Sequence, residues 1–267
     1  MKKIFCILLG ISLLSCSGSN DDITNTAEEV QEANSQPDKG YAFYVDSPFT
    51  PIGPDNYYKF NYNNGNLTRI SGKNGTIAGT FVDTYTALSY QGNQVTVEYS
   101  WASSLNPEHI NYTMKDGRPI EAEYRRIENN MPYYTVYQRK FYTYENNTIK
   151  VSIWRKGVVE EEEAVVTYSF NNDQNLAKSE KLEKRKGKPV FMTTTIYSDF
   201  DKAKNPFKKF GLVNDILYEK SLSVNNFRKS ESIQTIFMEP TNPTYKSTGV
   251  NFYKYDSKGQ VLLYYPL

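Results

Sequence analysis

An aromatic or apolar residue, a short turn of Asn, Gly and Asp, and a second apolar residue recur along this chain, and that recurrence constrains its fold more than any other feature. The pattern stands at Tyr62 to Leu67, Tyr90 to Val95, Met114 to Ile120, Tyr144 to Ile149 and Phe170 to Leu176, and again at Tyr255 to Val261. From Tyr62 to Phe170 the intervals are 28, 24, 30 and 26 residues. Each interval holds two strands and two turns, which is the arithmetic of an antiparallel meander of hairpins. Asn64-Gly65 and Asp116-Gly117 accept the positive φ that two-residue hairpin turns need. In Gln94 to Trp101 the residues Val95, Val97, Tyr99 and Trp101 share one face and Gln94, Thr96, Glu98 and Ser100 the other, the period of a strand buried on one side.

With 23 Tyr and 14 Phe among 267 residues, the composition suits pleated sheet. The expected fold is mainly β: an antiparallel meander of β-hairpin repeats forming an extended or curved sheet, with one short helix near residues 206–220. Asn205 is a favourable N-cap, Pro206 fits the first helical position, and Phe207, Phe210, Val213 and Leu217 recur near helical spacing. Gly211 weakens that helix and is where it would split. Its expected role is structural, covering a face or edge of the sheet. Tyr133 to Tyr144 is aromatic on both faces, as in a strand covered on both sides or an exposed aromatic strip. The turn Asn171 to Gln174 folds the acidic run Glu160 to Glu163 back opposite Lys184 and Arg185, which gives those glutamates a structural explanation without a metal.

At the start of the chain, Lys2 and Lys3 precede an apolar run from Ile4 to Leu14 that is too short to cross a bilayer comfortably and reads as a secretory signal. It closes on Leu13-Leu14-Ser15-Cys16, which resembles the lipobox of bacterial lipoproteins, where the leader is cut before an acylated cysteine. The organisation expected is a signal peptide over 1–15, a flexible polar tether over 16–39 and a β-rich domain over 40–267. Paired acids at Asp21-Asp22 resemble the surface-export signals of Bacteroidota lipoproteins, and the resemblance implies outer-membrane delivery. Whether the periplasmic or the outer surface is occupied stays open.

Phe60 to Thr68 and Tyr253 to Val261 resemble the tyrosine-rich hairpin repeats of Rhs and YD-repeat proteins, and more closely Bacteroidota lipoproteins of unknown function that carry such repeats. Tyr197-Ser198-Asp199-Phe200-Asp201 leading to Asn205-Pro206-Phe207 is similar to a junction before their last hairpins. The resemblance implies a β-rich lipoprotein without known catalysis, and it brings no active site with it.

Cys6 falls in the leader and Cys16 would carry lipid, so the mature chain folds without disulfides. Loss of residues 1–15 removes two lysines and no acid, leaving 29 basic against 30 acidic residues, a balance that gives no case for nucleic acid. The run Lys181, Lys184, Arg185, Lys186, Lys188 is interrupted by Glu180 and Glu183 and reads as solvated strand and turn. His109 is the only histidine and reads as a surface or half-buried strand residue, so sites needing two histidines, a zinc set or a cysteine nucleophile are excluded. Asp199 and Asp201 open like a calcium loop, but Ala203 and Lys204 stand where a ligand and a turn glycine belong. Gly72, Gly75 and Gly79 lack the Gly-Lys-Ser/Thr of a phosphate loop. No cofactor or metal is expected, and a carboxylate pair for glycoside chemistry cannot be assembled from sequence.

The reading that follows is a non-enzymatic structural or interaction protein, held to the membrane through lipid on Cys16 and meeting a cell-surface protein or glycan. The alternative is a glycan-binding module in which Trp101, Trp154, Tyr133, Tyr134 and Tyr137 form an exposed stacking platform. Tyr134 and Tyr137 are the residues expected to carry the interaction surface, because uncovered rings on hairpin strands mark contact sites. The sequence leaves the oligomeric state open.

Overall fold

The computed structural model of the chain describes residues 36–45, 50–75, 81–100, 109–127, 134–157, 160–237 and 241–267. Fourteen strands form one antiparallel sheet in strict chain order: β1 (Lys39–Tyr41), β2 (Tyr57–Asn63), β3 (Asn66–Gly75), β4 (Phe81–Gln91), β5 (Gln94–Ser100), β6 (His109–Lys115) and β7 (Arg118–Ile127), then β8 (Tyr134–Glu145), β9 (Thr148–Lys156), β10 (Glu161–Phe170), β11 (Leu176–Arg185), β12 (Lys188–Phe200), β13 (Phe227–Ile236) and β14 (Thr244–Val250). β15 (Lys254–Tyr255) and β16 (Val261–Leu262) make a separate small hairpin. Short helical elements are α1 (Ala42–Val45), a 3₁₀ turn over Lys208–Phe210 and α2 (Asp215–Leu222).

The recurrent motif marks every second turn, and all five main copies lie at the same end of the sheet. Asn64 and Gly65 (φ 48° and 72°) and Asp116 and Gly117 (φ 50° and 72°) adopt the left-handed pair that a tight hairpin requires. The leading residue of each copy also ties its hairpin to the chain before it. The Tyr62 hydroxyl donates to Pro37 O at 3.0 Å, Tyr90 to Leu67 O at 2.9 Å and Tyr144 to Pro119 O at 2.7 Å. Where a hydroxyl is lacking, the backbone makes the tie: Met114 N donates to Asn93 O and Phe170 N to Asn147 O. The sixth copy, Tyr255 to Val261, lies in the β15–β16 hairpin and is not part of the meander.

β12 and β13 are joined by residues 201–226, which fold back onto the inner face of the sheet. Phe210 packs on Phe60 of β2 with ring centroids 4.8 Å apart. Tyr99 of β5 donates to Val213 O, and Tyr124 of β7 donates to Asp215 at 3.0 Å. Tyr218 meets Tyr142 of β8 and Tyr168 of β10, while Leu176 N of β11 donates to Ser223 Oγ at 2.9 Å. Nine strand spacings from β2 to β11 would cover ~43 Å if flat, whereas the contacts come from residues 210–223, a stretch that includes an eight-residue helix only ~12 Å long. One short segment reaches all these strands only because the sheet curls around it.

Among the described residues the curl does not close by strand pairing, since β1 pairs only with β2 and β14 only with β13. The C-terminal segment connects the two ends instead. Asn251 N donates to Arg228 O on the β13 side, while Tyr41 N of β1 donates to Leu263 O. Val95 (3 %) and Val97 (0 %) are buried, as their alternation requires. Glu162 pairs in register with Arg185 and Glu163 with Lys184, with Arg185 3.0 Å from Glu162, so the acidic run is explained by its cross-strand partners. Tyr134–Glu145 departs from the aromatic expectation. Gln138, Lys140 and Tyr142 point inward and are buried, while Phe141 on the other face is exposed.

Candidate functional site

The inserted segment is built by local capping. Asn205 is buried; its Oδ1 accepts from Phe207 N at 2.8 Å and its Nδ2 donates to Lys220 O and Ser223 O, so one amide ties the entry of the segment to its exit. The helix expected over 206–220 splits after Gly211 into the 3₁₀ turn and α2. A Cβ at Gly211 would lie 2.5 Å from Ser221 Oγ, so a side chain there would displace the hydroxyl from its hydrogen bond to Tyr218 O. The cap of α2 is Asn214, whose Oδ1 accepts from Leu217 N at 2.8 Å, with Asp215 in the favourable first turn.

Between α2 and the inner faces of β8 to β12 lies a cavity of about 330 Å³. Asp215 and Glu219, one turn apart on α2, line one side. Lys140, Arg155, Lys181 and Glu183 line the other, among Tyr142, Tyr168 and Val166. Most of the charges are paired: Lys140 with Asp215, Lys181 with Glu183, and Arg185 with Glu162. Two are not. Arg155 Nε donates to Gln138 Oε1 at 2.9 Å and its other guanidinium hydrogens are unspent, and Glu219 has the Tyr197 hydroxyl beside it. Among the described residues neither has an ion-pair partner.

Burial pulls the Lys140 ammonium down against the opposing Asp215 carboxylate, and burial pushes the Glu219 carboxyl up. Lys220, whose Nζ donates to Tyr44 O at 3.0 Å and sits 5.0 Å from the Phe207 ring centroid, is pulled down to about 8 by burial, with Glu219 opposing. A lysine lowered by folding binds fewer protons folded than unfolded between its two pKa values. Stability therefore rises as pH increases from about 8 towards the ordinary lysine value of ~10.4. In urea titrations at successive pH values, Lys220→Met should flatten that rise; a profile parallel to wild type would contradict the assignment.

The residues singled out by sequence fall in different places. Cys16, Trp101 and Tyr133 lie outside the described residues. Tyr134 opens β8, and its side chain is likewise outside the description. Tyr137 sits at a register shift; its half-buried ring packs edge-on against Tyr124 at 6.3 Å, and Arg126 covers it at 4.8 Å from the centroid. Trp154 alternates with the cavity-lining Ile153 and Arg155 and so faces outward, in register with Arg139 and Glu163. Tyr137 and Trp154 are not on one surface. His109 opens β6, half-buried, with its pKa lowered by burial and by Arg125. Asp201 accepts from Ala203 N, Asn226 N and the Tyr255 hydroxyl, and Asp199 pairs with Arg228 at 2.5 Å, which makes this stretch a turn that anchors the inserted segment.

Lys140, Arg155, Asp215 and Glu219 were missed by sequence reasoning. Asp215 as a first-turn acid carried the only local signal. Lys140 looked like an ordinary outward lysine on an aromatic strand.

No protein-family model matches the chain, and no curated protein matches it. Two solved structures of porin-like proteins resemble it at 13 % identity. The one from Bacteroides vulgatus gives a TM-score of 0.47 over 76 % of this chain and 87 % of that one. The one from Bacteroides uniformis gives 0.40 over 72 % and 88 %. Both are distant, with TM-scores below 0.5.

Proposed function

We propose that the chain is an outer-membrane or cell-surface lipoprotein, acylated at Cys16, whose folded part works by binding and not by catalysis, with the cavity beneath α2 as the binding place. The observation that carries the binding reading is the pairing pattern inside the cavity. The exposed Arg155 guanidinium at the rim and the Glu219 carboxylate, neither with an ion-pair partner among the described residues, border a space of 330 Å³ also lined by tyrosine rings, and a pocket of that size with a few convergent polar groups suits a small ligand. Glycoside hydrolysis asks for two available acids. Asp215 is tied to Lys140 and Tyr124, and Glu162 and Glu183 to their own cations, while Glu163 is exposed and stands directly across from Lys184, so the acids that accompany Glu219 are committed elsewhere.

The tether is the natural route to a membrane because charges occupy the outward positions of most strands. They include Lys59, Arg69, Glu98, Glu123, Arg139, Lys150, Lys178 and Lys229. A lysine or arginine facing lipid at mid-depth costs about 2–4 kcal/mol, so this face belongs in water.

The ligand class that answers both unpaired groups is a small hydroxylated anion, its charge on Arg155 and its hydroxyls on Glu219. In a thermal-shift comparison of glucuronate, galactose and chloride controls, glucuronate at ~100 Kd should stabilise the wild type by about 2.7 kcal/mol, a rise of roughly 5–10 °C for a domain this size. Arg155→Gln should abolish the rise. A rise of equal size with galactose, or one kept in Arg155→Gln, would contradict the reading, as would no response to glucuronate at any concentration.

A further inference from the structure

On the outward face of the first strands, four cations stand close together without an ion pair. Lys39 of β1 is directly opposite Lys59 of β2, an arrangement of like charges that weakens a strand pair unless something outside compensates it. Arg69 and Lys73 follow on the neighbouring β3, at outward positions alternating with the inward Ile70 and Gly72. Among the described residues none of the four makes a salt bridge. Asp83 lies across from Lys73 in register, and with Asp55 it is an acid bordering the groove of about 800 Å³ along this face. The chain as a whole has a formal charge of only +1, so this cluster is a local concentration.

Aromatic rings hold two of these cations in place. The Arg69 guanidinium sits 4.0 Å from the Tyr85 centroid, and Lys39 Nζ is 5.6 Å and 5.3 Å from those of Tyr57 and Tyr264. Each of these rings therefore has a cation over it. That favours an anionic partner over a sugar stacked on bare rings.

We propose that this face docks on anionic lipid headgroups, the phosphates of the bilayer that holds the tether. Lys39 is the first residue of the sheet, so the patch begins where the sheet begins, at the end nearest the expected tether in sequence, and continues onto β2 and β3. The location of the contact rests on the lipoprotein reading, while the affinity of the patch for anionic lipid does not. Tyrosines beside basic side chains are also the pairing favoured at membrane–water interfaces.

The test uses residues 16–267 carrying Cys16→Ser, so that no acyl chain contributes, in flotation with phosphatidylcholine vesicles with and without phosphatidylglycerol. Binding should need phosphatidylglycerol and fall as salt shortens the screening length. Each cation at a negative surface contributes roughly a fivefold factor. The triple change Lys59→Gln, Arg69→Gln and Lys73→Gln should thus lower partitioning on the order of 100-fold in a protein that still unfolds cooperatively. A control triple, Lys178→Gln, Lys229→Gln and Lys246→Gln, removes the same charge from β11, β13 and β14 and should lose no more than a few-fold. Equal binding to both vesicle types, or equal losses in the two triples, would overturn the proposal. So would release by inorganic phosphate beyond that by chloride at matched ionic strength, or retention on a sulfated glycan without vesicle binding. Because the protein is unacylated, these results leave the question of lipid on Cys16 untouched.

Discussion

Phe210→Ala should lower the free energy of unfolding by about 3–5 kcal/mol, the range for an aromatic ring removed from a packed core. Phe210 is fully buried, packs edge-on against Phe60 at 4.8 Å and lies 6.3 Å from Phe207. It is the point at which the inserted segment meets β2, early in the meander, while Tyr218 and Ser223 reach β8, β10 and β11. A cavity there loosens the contact between distant parts of one sheet and not only one side chain. Denaturant titration of the two proteins measures it directly. A loss below roughly 1 kcal/mol, the scale of a surface change, would mean that the segment does not pack on the early strands.

Asp215→Ala should cost about 1–3 kcal/mol and should be repaired in part by a second change. The Lys140 side chain is only 5 % exposed, and without Asp215 it is left charged against tyrosines. Breaking a buried pair costs about 3–5 kcal/mol, and the expected value is lower because Asp215 itself is 63 % exposed. Lys140→Met with Asp215→Ala removes both charges and should be more stable than Asp215→Ala alone, a coupling that a double-mutant cycle reads out. If the double variant is as unstable as the sum of the singles, the pair is not what positions α2.

The elements legible in the sequence are those whose cause is local. Asn64-Gly65 and Asp116-Gly117 announce tight turns because their backbone geometry is written in two residues. The facing of Glu162 and Glu163 with Arg185 and Lys184 follows from one turn and a count of residues. Asn205-Pro206 and the spacing of Phe207, Phe210, Val213 and Leu217 announce a helical segment whose apolar side is buried, and the structure buries all four. What sequence could not supply is where that segment goes. The curl depends on the cooperation of many strands and on register shifts such as those at Tyr62, Met114, Phe170 and Arg125; the first three fall on leading residues of the recurrent motif, but the equivalent Tyr90 and Tyr144 carry no shift, so the motif does not announce which copies bend the strand.

The cavity was illegible for the same reason. Lys140 has an interior partner 75 residues away, and Arg155 and Glu219 become unusual only once their surroundings are known. Tyr255 to Val261 carries the same local signal as the true repeats, yet forms an isolated two-strand hairpin. A turn motif specifies its own geometry and not its membership of a sheet.

The tethered reading is tested most directly at Cys16. Cells expressing the chain are fed an alkyne fatty-acid analogue, and the protein is then recovered and partitioned between detergent and aqueous phases. Each buried CH₂ of an acyl chain adds about 0.8 kcal/mol, so two or three chains give stable membrane residence. The wild type should carry the label and enter the detergent phase, while Cys16→Ser should do neither. Equal labelling and equal partitioning of the two proteins would contradict the account.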